Sequence, residues 1–155
     1  MRFNDDFMDC FGKLPERKKT QWIVIHHTCT ATPRKTRSAL KAKGYSTHFE
    51  IDRDGTIYRY AKLDRKCSHC CGANHKAVGV DLTHPAGADW PQAQLDAARE
   101  LFEWLSAKLG IPLRLYEAFP AGFIYHRAIS DTVCPQNFPG AAVFDDVASI
   151  EGEPC

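Results

Sequence analysis

The sequence predicts an α/β fold, a mixed central β-sheet flanked by helices in a single domain. Three features carry this expectation. The runs Trp22-Ile23-Val24-Ile25-His26 and Ala77-Val78-Gly79-Val80-Asp81-Leu82 are short, rich in β-branched residues and almost continuously apolar, as strands buried on both faces are. His48 to Tyr60 forms two alternating runs about an Asp54-Gly55 turn, a strong hairpin signal. Leu95, Ala98, Phe102, Leu105 and Leu109 recur at spacings of three and four, the apolar stripe of one long helix.

Taken in order, residues 1–20 lack sustained periodicity and read as an N-terminal extension, either packed on the domain or loosely ordered; residues 21–155 are the domain proper. Within the extension Arg17-Lys18-Lys19 reads as a solvated lead-in to the first strand. Trp22 to His26 is expected at the centre of the sheet. Thr32 then supplies a helix cap and Pro33 the first helical position, followed by Arg34 to Lys43 and a stop at Gly44. After the hairpin and the strand 77–82, Asp89 is the expected cap of the long helix Trp90 to Leu109, with Gly110 closing it. Ile111 to Gly140 contains Pro112, Pro120, Pro135 and Pro139 and reads as loop, with at most one short strand near Phe123 to His126. The sheet is therefore expected to hold about five strands.

The 155 residues suit one hydrophobic core, and 44% hydrophobic with 25% charged residues exclude a disordered or fibrous chain. A net charge of +1 provides no field that would recruit nucleic acid or an anionic membrane. Asp5 and Asp6 stand where a secretory signal needs an apolar run, and no stretch approaches the ~18 apolar residues of a membrane span. The expectation is a monomer made in the cytoplasm, without stable membrane association.

Seven cysteines, an odd number, leave at least one unpaired or bound to something else. His26 ends the first buried strand, His126 ends a late apolar run, and Cys134 follows eight residues on in a Pro-bounded loop. Two imidazoles and a thiolate suit zinc, which in catalytic sites keeps three protein ligands and a water. With seven His and seven Cys available, residue types alone leave an ordinary set of buried His and Cys equally open.

Four segments in order resemble the motifs of the type 2 N-acetylmuramoyl-L-alanine amidases, the family of phage lysozyme-type amidases and animal peptidoglycan recognition proteins. They are Ile23-Val24-Ile25-His26-His27-Thr28, the hairpin Ser46 to Tyr58, Val78-Gly79-Val80-Asp81, and His126-Arg127 with Asp131-Thr132-Val133-Cys134-Pro135. The resemblance runs from about Trp22 to Pro135 and implies the mixed sheet of that family, with a groove at the strand ends. It implies zinc held by His26, His126 and Cys134; relatives lacking a ligand at the cysteine position bind peptidoglycan without cutting it. His27 points to the opposite face of the strand and is read as packing beside the ligands.

Further roles follow from the same resemblance. Thr132 stands where the family hydrogen-bonds the oxyanion; the other reading is a loop hydroxyl bonded to nearby backbone. Where one branch has a Tyr facing the attacking water, this chain has Thr47. A second branch uses a carboxylate on the neighbouring strand, where Asp81 falls, one methylene shorter than the usual Glu; Asp81 is therefore the expected general base. Tyr45 is the fallback, on the argument that i and i+2 on a strand share a face, and His69 lies where relatives contact substrate. Cys67-Ser68-His69-Cys70-Cys71 reads as a disulfide or free thiols rather than a second zinc or redox site, and His48, His75 and His84 as structural or surface residues.

The implied activity is zinc-dependent hydrolysis of the amide between the lactyl group of muramic acid and L-Ala in bacterial peptidoglycan. The expected context is a phage-type endolysin or an exported antibacterial effector, reaching the wall after release or delivery by another system. The alternatives are a non-catalytic peptidoglycan-binding module and an intracellular cell-wall recycling amidase, whose members usually place Asp as third ligand.

Overall fold

The computed structural model describes residues 1–116 and 121–145, and the backbone of 147 and 148. Its elements run β1 (Trp22–His27), α1 (Pro33–Ala42), β2 (Phe49–Ile51), β3 (Ile57–Arg59), β4 (Ala77–Leu82), α2 (Gln92–Leu109), β5 (Leu115–Tyr116), β6 (Gly122–Tyr125) and β7 (Val147–Ala148). The sheet order is β3-β2-β4-β1-β6-β5-β7. Only the β2–β3 hairpin is antiparallel; β2–β4, β4–β1, β1–β6, β6–β5 and β5–β7 pair in parallel. The sheet is thus mixed, with β1 at its centre. Among the described residues it has seven strands rather than about five, because the two-residue β5 and β7 extend one edge.

Alternation along each strand divides the core in two. Ile23, Ile25, Phe49, Ile51, Val78 and Val80 face α2, where they meet Leu101, Phe102 and Leu105. Trp22, Val24, Ala77 and Ile124 face the other way and pack with Cys70 and Ala73. Burial on both faces is why β1 and β4 carry almost no polar residue until their ends.

The α1 signals act as expected. The Thr32 hydroxyl accepts from the Lys35 N–H, Pro33 opens the helix and Gly44 follows with φ +68°. The α2 start differs, since Pro91 occupies the cap position without a side-chain bond and Asp89 instead pairs with Arg53. Proline's fixed φ sets the helix entry two residues after Asp89, beyond reach of its carboxylate. In the hairpin, Gly55 has φ +88° and a Cβ there would lie 2.8 Å from the Ala93 carbonyl, so the turn needs glycine both for backbone and for α2 to approach.

Residues 1–20 adopt the packed arrangement. Phe3 lies edge-on to Trp104 at 5.1 Å, and the Asn4 N–H donates to the Ile57 carbonyl. Arg17 is buried, not solvated: its guanidinium donates to the carbonyls of Leu63, Lys19 and Arg65 and to the Thr20 hydroxyl. Four hydrogen bonds, three of them to backbone carbonyls, make that burial tolerable.

Candidate active site

The parallel strands β1, β4 and β6 end on one edge, and the chemistry-bearing side chains gather there. His26 on β1 pairs in register with Asp81 on β4, which pairs with Glu50 on β2. All three lie on the face away from α2, since their neighbours Ile25, Val80, Phe49 and Ile51 belong to the α2-facing core.

His69, from the loop between β3 and β4, reaches over this face and sets its Nδ1 3.0 Å from His26 Nε2. It can do so because position 79 is glycine; a Cβ there would meet the His69 ring at 2.7–2.9 Å. The loop is tied in place by Asn74 Oδ1, which accepts from the N–H groups of His69 and Cys70. Burial pushes His69 down to about 3 and holds His26 well below the usual histidine range, so both rings are neutral. The 3.0 Å contact fixes the orientation of the His26 ring beside the other two candidate ligands.

His126 follows β6 directly and begins a short 3-10 turn, His126–Ala128. The Arg127 N–H donates to the Cys134 carbonyl at 2.8 Å, folding the loop back so that Cys134 returns beside His126. Cys134 Sγ accepts from the His27 N–H at 3.3 Å. The ligand atoms of His26, His126 and Cys134 all lie within 4.8 Å of one another. Tetrahedral zinc with bonds of about 2.0–2.3 Å places its ligands roughly 3.5 Å apart. The side chains therefore need to close by only about 1 Å around an ion.

The donor set fits zinc chemically as well. Burial lowers His26 and His126, leaving lone pairs free of protons, while it pushes the Cys134 thiol up to about 12. Such a thiol gives up its proton to a soft cation and to little else. Among the described residues no other group of His, Cys, Asp and Glu comes close enough to hold a metal. Cys67 and Cys70 are buried free thiols pushed up to about 12 and 11, and Cys71 is a free exposed one. Cys155 lies outside the described residues.

A cavity of about 350 Å³ opens over the three ligands, lined also by His69, Asp81, Thr132 and Tyr45, and by Thr36, Leu40 and Lys43 from α1 and its cap. Asp81 is 6% exposed. Burial, then the neighbouring Glu50, raises it well above the usual carboxylate range, while the Thr47 hydroxyl pulls the other way. Thr132 Oγ1 accepts from the Cys134 N–H at 3.3 Å, the backbone contact of the second reading, and the residue also lines the cavity. Its O–H remains able to donate into the groove. His27 lies beside Cys29, with Nε2 3.2 Å from Cys29 Sγ.

Two positions differ from the sequence expectation. Tyr45 is not on a strand: β2 begins at Phe49, and Tyr45 sits in the turn after α1, 54% exposed, with its N–H on the Leu40 carbonyl. The shared-face argument between residues 45 and 47 therefore does not hold, although Tyr45 does line the groove. Glu50 was not foreseen at all. Alternation with Phe49 and Ile51 points it toward solvent, yet it is 0% exposed, because α1 and the loops cover that face too.

A mixed sheet with a His-His-Cys group, a buried carboxylate and a hydroxyl in an open groove defines an α/β protein with a candidate metal centre at its strand ends. Residues 16–137 match the family model described as N-acetylmuramoyl-L-alanine amidase, and the chain belongs to that family. It is similar to the N-acetylmuramoyl-L-alanine amidase LysC of Clostridium intestinale at 28% identity, with TM-score 0.72 over 84% of this chain and 87% of that one. The fold also matches the Ph2119 endolysin of a Thermus scotoductus bacteriophage (19% identity, TM-score 0.68, 84% and 86% covered). It likewise matches a Drosophila PGRP-LB mutant in complex with tracheal cytotoxin (21%, TM-score 0.64, 82% and 85% covered). A Rickettsia conorii protein named as a candidate N-acetylmuramoyl-L-alanine amidase is 28% identical over 57% of this chain, and the match spans only 37% of that protein's length.

Proposed function

We propose that this chain is a zinc-dependent N-acetylmuramoyl-L-alanine amidase that hydrolyses the amide between the muramic acid lactyl group and the L-Ala of peptidoglycan. The observation that carries the reading is the convergence of His26, His126 and Cys134 within 4.8 Å beneath a groove that Asp81 and Thr132 also line. Family membership and the likeness to LysC support the bond and the polymer. The likeness to LysC supports a lytic enzyme of the endolysin kind, with an exported antibacterial effector built on the same domain as the other context the sequence suggests.

When bound, zinc supplies an acidified water and a Lewis-acid contact for the scissile carbonyl. The chain's own residues do the rest. Asp81, made more basic by burial and by Glu50, takes a proton from the attacking water as its oxygen bonds to the carbonyl carbon. The same carboxyl then gives that proton to the amide nitrogen as the C–N bond breaks, so that the products are a lactyl carboxylate and a free L-Ala amine. Thr132 donates its O–H to the carbonyl oxygen as negative charge develops there. His69 holds the His26 ring in one orientation.

Purified protein incubated with intact sacculi and with soluble muropeptides tests this by mass spectrometry of the products. The expected result is stem peptides with a new N-terminal L-Ala, abolished by a zinc chelator and restored by zinc. Cleavage at any other bond would overturn the proposal, and binding to sacculi without cleavage would make the chain a peptidoglycan-binding module.

A further inference from the structure

The mechanism leaves one buried acid unused. Glu50 Oε1 accepts from the hydroxyls of Thr36 and Thr83, each at 2.7 Å, and Oε2 accepts from the Tyr60 hydroxyl at 2.6 Å. These donors come from three places: Thr36 from α1, Thr83 from the end of β4 and Tyr60 from the end of β3. The Thr36 oxygen is also in hydrogen-bond contact with the Thr30 hydroxyl, and that with Thr28. A carboxylate only accepts, so Thr36 donates to Glu50, and the hydroxyls of Thr30 and Thr28 continue the row from there.

What the chain holds is the wall of the groove. Thr28, Thr30, Thr36 and Leu40 all line the cavity over the candidate metal ligands. Yet α1 has little else to keep it there. Of its ten residues only Pro33 and Thr36 are buried, and a helix of that length has no independent stability in water. Its other attachment is Arg37, whose guanidinium stacks on the Phe7 ring at 3.2 Å. A helix that buries so few side chains gains from a polar anchor, and a hydrogen bond to an ionised acceptor is among the stronger ones.

We infer that Glu50 is a positioning residue for substrate binding: from beneath the sheet's polar face it anchors, through Thr36 and Thr30, the helix and loop that form one wall of the groove. This rests on the amidase reading only in that the groove takes peptidoglycan. The anchor acts on the wall and not on the metal or the proton transfer, so its loss shows in KM rather than in kcat.

The test compares Thr36→Val with Thr83→Val, because each removes one hydroxyl from the same carboxylate oxygen but only the first belongs to the wall. With soluble MurNAc-pentapeptide as substrate, Thr36→Val is expected to raise KM about tenfold, with kcat within about threefold and zinc content unchanged. Thr83→Val should lower the melting temperature by a similar amount and leave KM as it is. Glu50→Gln, which preserves volume and one acceptor, should shift KM in the direction of Thr36→Val. Amide hydrogen exchange read over residues 33–42 supplies a measure independent of activity, and should quicken about tenfold in Thr36→Val and in Glu50→Gln, but not in Thr83→Val. Equal KM changes in the two threonine variants, or exchange over 33–42 unchanged in Thr36→Val, would overturn the inference. If the wild-type protein cuts no muropeptide, the amidase reading fails on that result and the exchange data still decide the anchor.

Discussion

Gly79→Ala should weaken zinc binding without touching a ligand. The added Cβ would stand 2.7 Å from His69 Cγ and 2.8 Å from Nδ1, where ordinary contact begins at 3.4 Å. The ring must therefore retreat by about 0.6–0.7 Å, and the atom displaced is the one that faces His26 Nε2 at 3.0 Å. Crowding of this kind costs about 1–3 kcal/mol, and the bent hydrogen bond about 1 kcal/mol more. Against this, alanine in a strand restricts the unfolded chain and returns roughly 0.4–1 kcal/mol. The net is about 1–3 kcal/mol, which for a chain of this size lowers Tm by roughly 3–10 °C. The larger effect falls on the metal, since losing the partner that orients a ligating histidine typically costs about 10–100-fold in affinity. Competition against a chromophoric chelator measures the affinity, and calorimetry of the metal-free protein measures the Tm. An affinity within about threefold of wild type would refute the reasoning, and with a lowered Tm it would reduce His69 to a packing residue.

Three other expectations are open to direct measurement. His126→Ala should lose the near-stoichiometric zinc that elemental analysis should find in the wild-type protein; full retention would point to the thiols around Cys67. Asp81→Asn, nearly isosteric, should keep zinc and fold but lower kcat by roughly 10²-fold. A normal rate in that variant would remove Asp81 from the mechanism. In the metal-free protein, burial holds His26, His48 and His69 below the usual histidine range, His69 at about 3. Below about pH 6.5 the unfolded chain then binds more protons at these rings than the folded one, so their contribution to stability is lost as pH falls toward 3. Glu50 and Asp81, raised by burial, act in the opposite sense, gaining stability as pH falls through their raised values. His27, His84 and His126 are also lowered by burial and Asp52 is also raised, so six rings stand against three carboxyls; Tm of the metal-free protein should fall between pH 7 and 5, and thermal melts showing a rise would contradict this.

How far the sequence was legible depends on the range of the interaction behind each feature. β1, β4 and α2 announce themselves because six or more residues repeat one burial environment, and the hairpin because of the Asp54-Gly55 turn between its three-residue strands. β5 spans only Leu115 and Tyr116, and two residues carry no period. Its place at the edge follows from pairing with β6, which is not written locally. The α2 cap was misread because Asp89 and Pro91 both signal a start and only geometry ranks them. Arg17, expected to be solvated, and Glu50, not foreseen, share a common cause. Each looks like surface by type and position, and each is buried with partners from remote segments, Leu63 and Arg65 for Arg17 and Thr36, Tyr60 and Thr83 for Glu50. The polar partners of Glu50, at positions 36, 60 and 83, share no local pattern with it. A buried charge with partners scattered in sequence can be noticed only as an oddity, here a carboxylate between Phe49 and Ile51.

Strand direction explains which of the many His and Cys residues converge. β1, β4 and β6 run parallel, so their last residues share an edge, and in open α/β sheets that carboxyl edge is where ligands bind. His26 and Asp81 are a register pair at this edge, and His126 is the first residue beyond it. Cys134 arrives by the backbone bond between Arg127 and its own carbonyl. Cys70 is committed elsewhere, packed in the apolar cluster with Trp22, Val24, Ala77 and Ile124. The loop that carries Cys70 nevertheless delivers its neighbour His69 halfway along the face, onto Gly79 and against His26. Two consecutive residues thus take different roles: the thiol fills the apolar cluster and the imidazole faces the candidate metal ligand His26. The cysteine-rich segment therefore contributes to the site through the one residue in it that is neither cysteine nor serine.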